Sequence, residues 1–163
     1  MTTGGLYTSD DRELVKIGDD LVEVIPQKTT WSEDIFTMHD HYGVHDVMDE
    51  LESYKLKKFL EFRKDFLQEE LDEFSTAIDN ADAEEIVDGC IDLCVVAIGT
   101  LDALGVDVQK AWEEVLKANM NKTPGIKPDR PNPLGLPDLI KPEGWVAPSH
   151  EGNHGFIARA FED

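Results

Sequence analysis

Basic residues are scarce: 15 lysines and arginines stand against 35 aspartates and glutamates, a formal net charge of −20. A surface this acidic repels phosphate backbones, which excludes nucleic acid as a direct partner and disfavours an anionic membrane. A phosphorylated small molecule stays open, provided divalent cations bridge carboxylates and phosphates. Cysteine is nearly absent. Cys90 and Cys94 are the only two, four apart in one apolar segment, which is neither a zinc spacing nor a redox Cys-x-x-Cys pair. They read as small buried side chains in a reducing compartment. Long apolar runs are missing as well: the most apolar stretch, around residues 86–101, is broken by Asp88 and Asp92 and falls short of a bilayer span. Residues 1–20 are polar and lack the apolar heart of a signal peptide.

Proline, too, is unevenly withheld. Seven of the eight prolines crowd into residues 123–163 with five glycines, and the eighth is Pro26. The chain between is free to be helical, and the tail is not. This divides it into an N-terminal arm (1–30), a helical domain (31–122) and a C-terminal extension (123–163). In the arm, Leu21 to Ile25 reads as a short strand that Pro26 ends. Thr30 with Glu33 fits a capping box that opens a short helix through Tyr42, where Gly43 stops it. A long helix follows over about 51–79, Asn80-Ala81 forms a tight connection, and Asp82 caps a helix over about 83–104. Asp107 caps the last helix, Val108 to Met120, with Trp112, Val115 and Leu116 turned inward. The fold class expected is all-α: an antiparallel helical bundle with an extended arm and an irregular Pro/Gly-rich tail. Trp145, Phe156 and Ile157 give that tail apolar anchors, so it should wrap onto the domain or a neighbouring subunit.

The chemistry gathers on the two long helices. On the first, Leu60, Leu67, Leu71, Phe74 and Ile78 form one buried row. A second row runs through Phe59, Phe66, Glu70, Glu73 and Ala77, with Arg63 between the two. Two such faces imply packing on both sides. The next helix is apolar almost all round, as a central bundle helix would be, yet Glu85, Asp88 and Asp92 fall on one strip of it with Gly99 in line. A solvated acidic patch is one reading. The other is a set of facing carboxylates, which repel one another unless cations sit between them. Oxygen-only donors select magnesium or manganese over zinc. A di-iron bundle needs Glu-x-x-His on core helices, and the only such spacing, Glu151 to His154, lies in the tail. His39, His41 and His45 do not share one helical face, so they read as packing or polar contacts rather than ligands. Metals held by carboxylates suit phosphoryl chemistry, clamping a polyphosphate and activating water. Arg63 and Lys122 are the nearby cations, although Lys122 equally fits a cation at a helix C-terminus.

Taken together, Glu69-Glu70-x-x-Glu73, the acidic pair on the following helix, the opening helix Phe36-Thr37-Met38-His39-Asp40-His41-Tyr42-Gly43, the segment Phe62 to Glu70 and the closing Asn119-Met120-Asn121-Lys122 carry a resemblance. Over residues 35–122 the chain resembles the MazG-like all-α nucleoside triphosphate pyrophosphohydrolases. That superfamily also includes dimeric dUTPases and phosphoribosyl-ATP pyrophosphohydrolases. The resemblance implies Glu69, Glu70, Glu73 and either Glu85/Asp88 or Asp88/Asp92 as magnesium ligands, manganese being possible. Gly89 stands where counting back three from Asp92 would require Glu, so both pairs stay open. It further implies Glu70 or Glu73 as the proton acceptor, and substrate contacts from Phe36, His39, Tyr42, Arg63, Asn119 and Lys122. The implied reaction is metal-assisted attack of water on the α-phosphorus of a nucleoside triphosphate, releasing monophosphate and pyrophosphate. A homodimer or homotetramer in the cytoplasm (the host's, if the chain is phage-encoded) completes the expectation. The competing class is a non-catalytic acidic helical protein that binds a partner or divalent ions.

Overall fold

The computed structural model describes residues 13–17, 20–24, 29–129 and 132–162. These separate into two units, residues 1–31 and 32–163. The first holds an antiparallel hairpin of β1 (Glu13–Ile17) and β2 (Asp20–Val24), in register from Glu13 opposite Val24 to Ile17 opposite Asp20. The expected strand is thus present one residue earlier, while Ile25 and Pro26 lie outside the described residues. Its partner β1 was not expected, because five residues without alternation give no period to read.

Helix α1 (Trp31–His41) lies, from Ser32 on, at the start of the second unit. Gly43 takes φ +69°, a left-handed conformation open to glycine, and turns the chain into a short helix, α2 (Val44–Asp49). Next come α3 (Ser53–Asp79) and α4 (Ala83–Ala103), joined through Ala81 at φ +54°. Asp82 caps α4 by accepting from the amides of Glu84 and Glu85. Asp107 caps α5 (Val108–Met120) by accepting from the Lys110 amide. No single helix among the described residues is long and apolar enough to cross a membrane.

The antiparallel pair α3 and α4 is the spine of this unit. Gly89 rests on Phe74, where an added Cβ would come within 3.2 Å of the Phe74 Cβ. Further along, Arg63 reaches Val96 and Thr100. At the far end Leu56 meets Ala103 and Leu104 in a core completed by Met48 of α2 and Ala160. Ala160 belongs to a one-turn 3-10 helix, Ile157–Phe161, near the end of the extension. The extension also forms a small antiparallel pair, β3 (Thr123–Gly125) with β4 (Asp138–Ile140). Among the bonds that fasten it to the helical part are the Trp145 indole to the Ala118 carbonyl at 2.7 Å, the Phe156 amide to the Leu104 carbonyl at 2.7 Å, and a reciprocal pair in which the Asn153 amide group donates to the Asp107 carbonyl and accepts from the Asp107 amide, both at 2.9 Å.

The helices are less enclosed than their periodicity implied. Val87 is 64% exposed and Trp112 63%, and Leu71, Ile78, Cys90, Ile91 and Leu116 also face outward. The inward assignment of Trp112 and Leu116, the central placement of α4, and the burial of Cys90 are therefore corrected for the single chain. The reason is geometric. Helix α5 leaves α4 at 119°, so it crosses the end of α4 instead of lying along it. Helix α3 covers one side of α4 along its length, α2 meets only its C-terminal end, and Val87 and Ile91 stay exposed.

Candidate active site

The antiparallel pairing sets the geometry of the carboxylates. Gly89 lacks a side chain where α4 crosses Phe74, so the helices close tightly one turn from Glu70. Glu70 is 8% exposed, on the same buried face of α3 as Ala77. Desolvation raises its carboxyl above the ordinary glutamate range, and Asp92, Glu73, Glu69 and Asp88 push it further in that order. Every charged neighbour acting on Glu70 is itself a carboxylate. The acidic rows of α3 and α4 therefore meet around one buried side chain, with Asp88 and Asp92 as the contribution from α4.

Glu85 lies elsewhere. With Glu69 and Glu73 it lines an open cleft over Ala77 that also touches Asp65, Asp72 and Asp82. The cleft and the Glu70 cluster share Glu69 and Glu73 and differ in what α4 supplies. Within the cluster only Glu70 is buried; Glu69, Glu73 and Asp88 are exposed and Asp92 partly so. The cluster's donors are all carboxylate oxygens, which fits a hard dication such as magnesium or manganese.

A stability test follows from the same geometry. Glu70 binds its proton more tightly folded than unfolded, so the metal-free protein loses stability as pH rises from the ordinary glutamate range through the raised folded value. Glu70→Gln should remove that loss. Above the window we expect the metal-free variant to melt higher than the parent. Calorimetry across pH in chelator checks it, and a variant that melts lower would show the carboxylate to be stabilising.

The other expected site residues have specific partners. The Arg63 Nε donates to Thr100 Oγ1 and its Nη2 to the Val96 carbonyl, both at 2.8 Å, while its guanidinium lies 5.4 Å from the Phe66 ring centre. Two of its directions are thus spent on α4, and Arg63 joins the helices beside the carboxylates. Lys122 donates to Asn119 Oδ1 at 2.8 Å and sits 5.4 Å from the Trp145 ring, which Lys141 approaches at 4.5 Å. Those two cations on one indole were not foreseen, since Trp145 read only as an apolar anchor. Phe36 and Tyr42 are exposed, with Phe36 stacked 4.7 Å from the His45 ring. His39 is buried, with its Nδ1 bonded to Asp102 at 2.6 Å. Asp102 was missed because its partners lie 57 and 63 residues away, beyond any local spacing.

Residues 43–119 match the family model described as phosphoribosyl-ATP pyrophosphohydrolase. That family belongs to the MazG-like nucleotide pyrophosphohydrolase superfamily. The chain is similar to it over this segment. No curated protein gives a match. The matched segment is just under half of the chain and contains α2, α3, α4 and almost all of α5. Every acidic residue of the cluster lies inside it, as do Arg63 and Asn119. Phe36, His39, Tyr42 and Lys122 lie outside it. The match points to nucleotide pyrophosphohydrolase activity in general, and leaves open nucleoside triphosphate or phosphoribosyl-ATP as substrate.

Proposed function

We propose that the chain hydrolyses a nucleoside triphosphate, preferentially a deoxynucleotide, to the monophosphate and pyrophosphate, with magnesium or manganese as cofactor. The observation that carries this is the meeting of Glu69, Glu70 and Glu73 with Asp88 and Asp92 around a buried carboxylate. Bound there, a divalent cation would clamp phosphate oxygens and acidify the attacking water. Glu70 and Glu73 would share ligation, and the less solvated Glu70 is poised to accept the proton, because a raised pKa brings a carboxylate nearer the working pH of a general base. Lys122, held by Asn119 under Trp145, would offset charge on the departing pyrophosphate. The exposed rings of Phe36 and Tyr42 offer surfaces for the base. The choice of the α-phosphorus rests on the resemblance to the MazG-like enzymes. We further propose a homodimer or homotetramer, since the exposed apolar side chains of Val87 and Ile91 on α4 and Trp112 and Leu116 on α5 support self-association.

Hydrolysis in oxygen-18 water tests the reading. With magnesium, across the natural nucleoside triphosphates and phosphoribosyl-ATP, we expect label in the monophosphate product, unlabelled pyrophosphate, and no turnover in excess chelator. Orthophosphate with a nucleoside diphosphate would overturn α-attack. Turnover of no nucleotide at all would favour the non-catalytic ion-binding protein.

A further inference from the structure

Three donors from three helices meet away from the acidic cluster. His39 of α1 and His45 of α2 both direct a ring nitrogen at the same oxygen, Oδ2 of Asp102 near the end of α4, at 2.6 and 2.9 Å. The three donor atoms all lie within 4.8 Å of one another. The Asp102 side chain is 9% exposed and that of His39 10%, while His45 at 24% keeps one side of the cluster open to solvent. Asp102 stands ten residues beyond Asp92 on α4, which at the rise of a helix is about 15 Å along its axis. Arg63 and its bonds to Val96 and Thr100 fill part of that interval. This pocket is therefore not an extension of the carboxylate site.

We propose that His39, His45 and Asp102 bind a zinc-type transition-metal dication that pins α1 and α2 to the C-terminal end of α4. Two imidazoles and one carboxylate select zinc, cobalt, nickel or ferrous iron over magnesium or calcium, which prefer all-oxygen sites. Three protein donors with one side open is the donor count of a four-coordinate site completed by water. Ligand bonds of about 2.0–2.2 Å place tetrahedral donors about 3.3–3.5 Å apart, so from their hydrogen-bonded spacing the His45–Asp102 pair must open by roughly 0.5 Å and the His39–Asp102 pair by roughly 0.8 Å. His45 can make its shift: it lies on a six-residue helix and is partly open to solvent. His39 is admitted to its position by Gly99, where a Cβ would come within 3.1 Å of the ring. Arg63 approaches the same point and opposes a cation, but two of its N–H groups are already committed to α4.

Cobalt(II) alone, titrated into the chelator-treated full chain, provides the test. We expect one equivalent to develop the visible bands of four-coordinate cobalt, and zinc to abolish them while a large excess of magnesium does not. His45→Ala and Asp102→Asn should each weaken this binding about 100-fold or more. Glu73→Gln and Asp92→Asn should leave the bands in place, which separates this site from the acidic one. Zinc should also raise the melting temperature of the parent but not of His45→Ala. Should Asp102→Asn fail to fold by circular dichroism, the partly exposed His45→Gln carries the same comparison. Absence of the bands, their survival in the His45 variants, or their loss in the acidic-row variants would overturn the proposal.

Discussion

Glu73→Gln and Asp92→Asn are each expected to lower turnover by about 10³-fold or more while the fold survives. One residue comes from α3 and the other from α4, and both act on the buried Glu70. On the proposed reading, removing either charge would leave a cation with fewer oxygens to hold it, so the phosphates and the attacking water would lose their alignment. Stability should hold or rise, because a like-charge repulsion has been relieved. Glu61→Gln, on the exposed side of α3, is the control and should change turnover little. Steady-state kinetics with magnesium, alongside thermal melts, reads both effects. A Glu73→Gln enzyme with intact turnover would detach this row from the chemistry. An unfolded one would show that the carboxylate supports the structure instead.

What could be read in advance follows the range of the interactions. Helices α3, α4 and α5 were legible because their apolar periods run for several turns and their starts carry Asp82 and Asp107, caps whose bonds span two or three residues. Helix α2 was not, since six residues after Gly43 hold less than two turns of pattern. The acidic rows were visible as spacings of three and four within single helices. The choice between Glu85 and Asp92 stays open: Asp92 and Asp88 act on Glu70, while Glu85 shares a cleft with Glu69 and Glu73. Arg63 could be recognised as a cation near the site, but its engagement with Val96 and Thr100 depends on residues 33 and 37 positions away. His39 and His45 were set aside because they share no helical face; the turn at Gly43 places them on separate helices and aims both at Asp102. Inward placement of Trp112 and Leu116 failed for the opposite reason. Periodicity states that a face is apolar, and only the 119° departure of α5 decides that α4 does not cover it.

Among the glycines of the extension, Gly155→Ala should be the most damaging to stability, and Gly152→Ala shows why. Both residues lie in the left-handed region, Gly155 at φ +51° and Gly152 at φ +72°. An alanine at either position pays the steric cost of that conformation, about 1–2 kcal/mol. At Gly152 nothing else lies within 4 Å of the added methyl, so the loss should end there. At Gly155 the methyl would be driven onto the Leu104 carbonyl oxygen, with the Gly105 carbonyl carbon 2.7 Å away. These are backbone atoms at the end of α4 and cannot rotate aside. The extension must then lift, breaking the bond from the Phe156 amide to Leu104 and withdrawing Ala160 from the core it shares with Met48, Leu56 and Ala103. Exposed apolar area and a lost buried bond add to the strain, for a total of about 4 kcal/mol or more. In a chain of this size that lowers the melting temperature by roughly 10 °C, against about 3–5 °C for Gly152→Ala. Limited proteolysis of the folded variants should cut the Gly155→Ala extension well before that of Gly152→Ala. Equal melting temperatures for the two would mean that the extension does not press its backbone onto the end of α4.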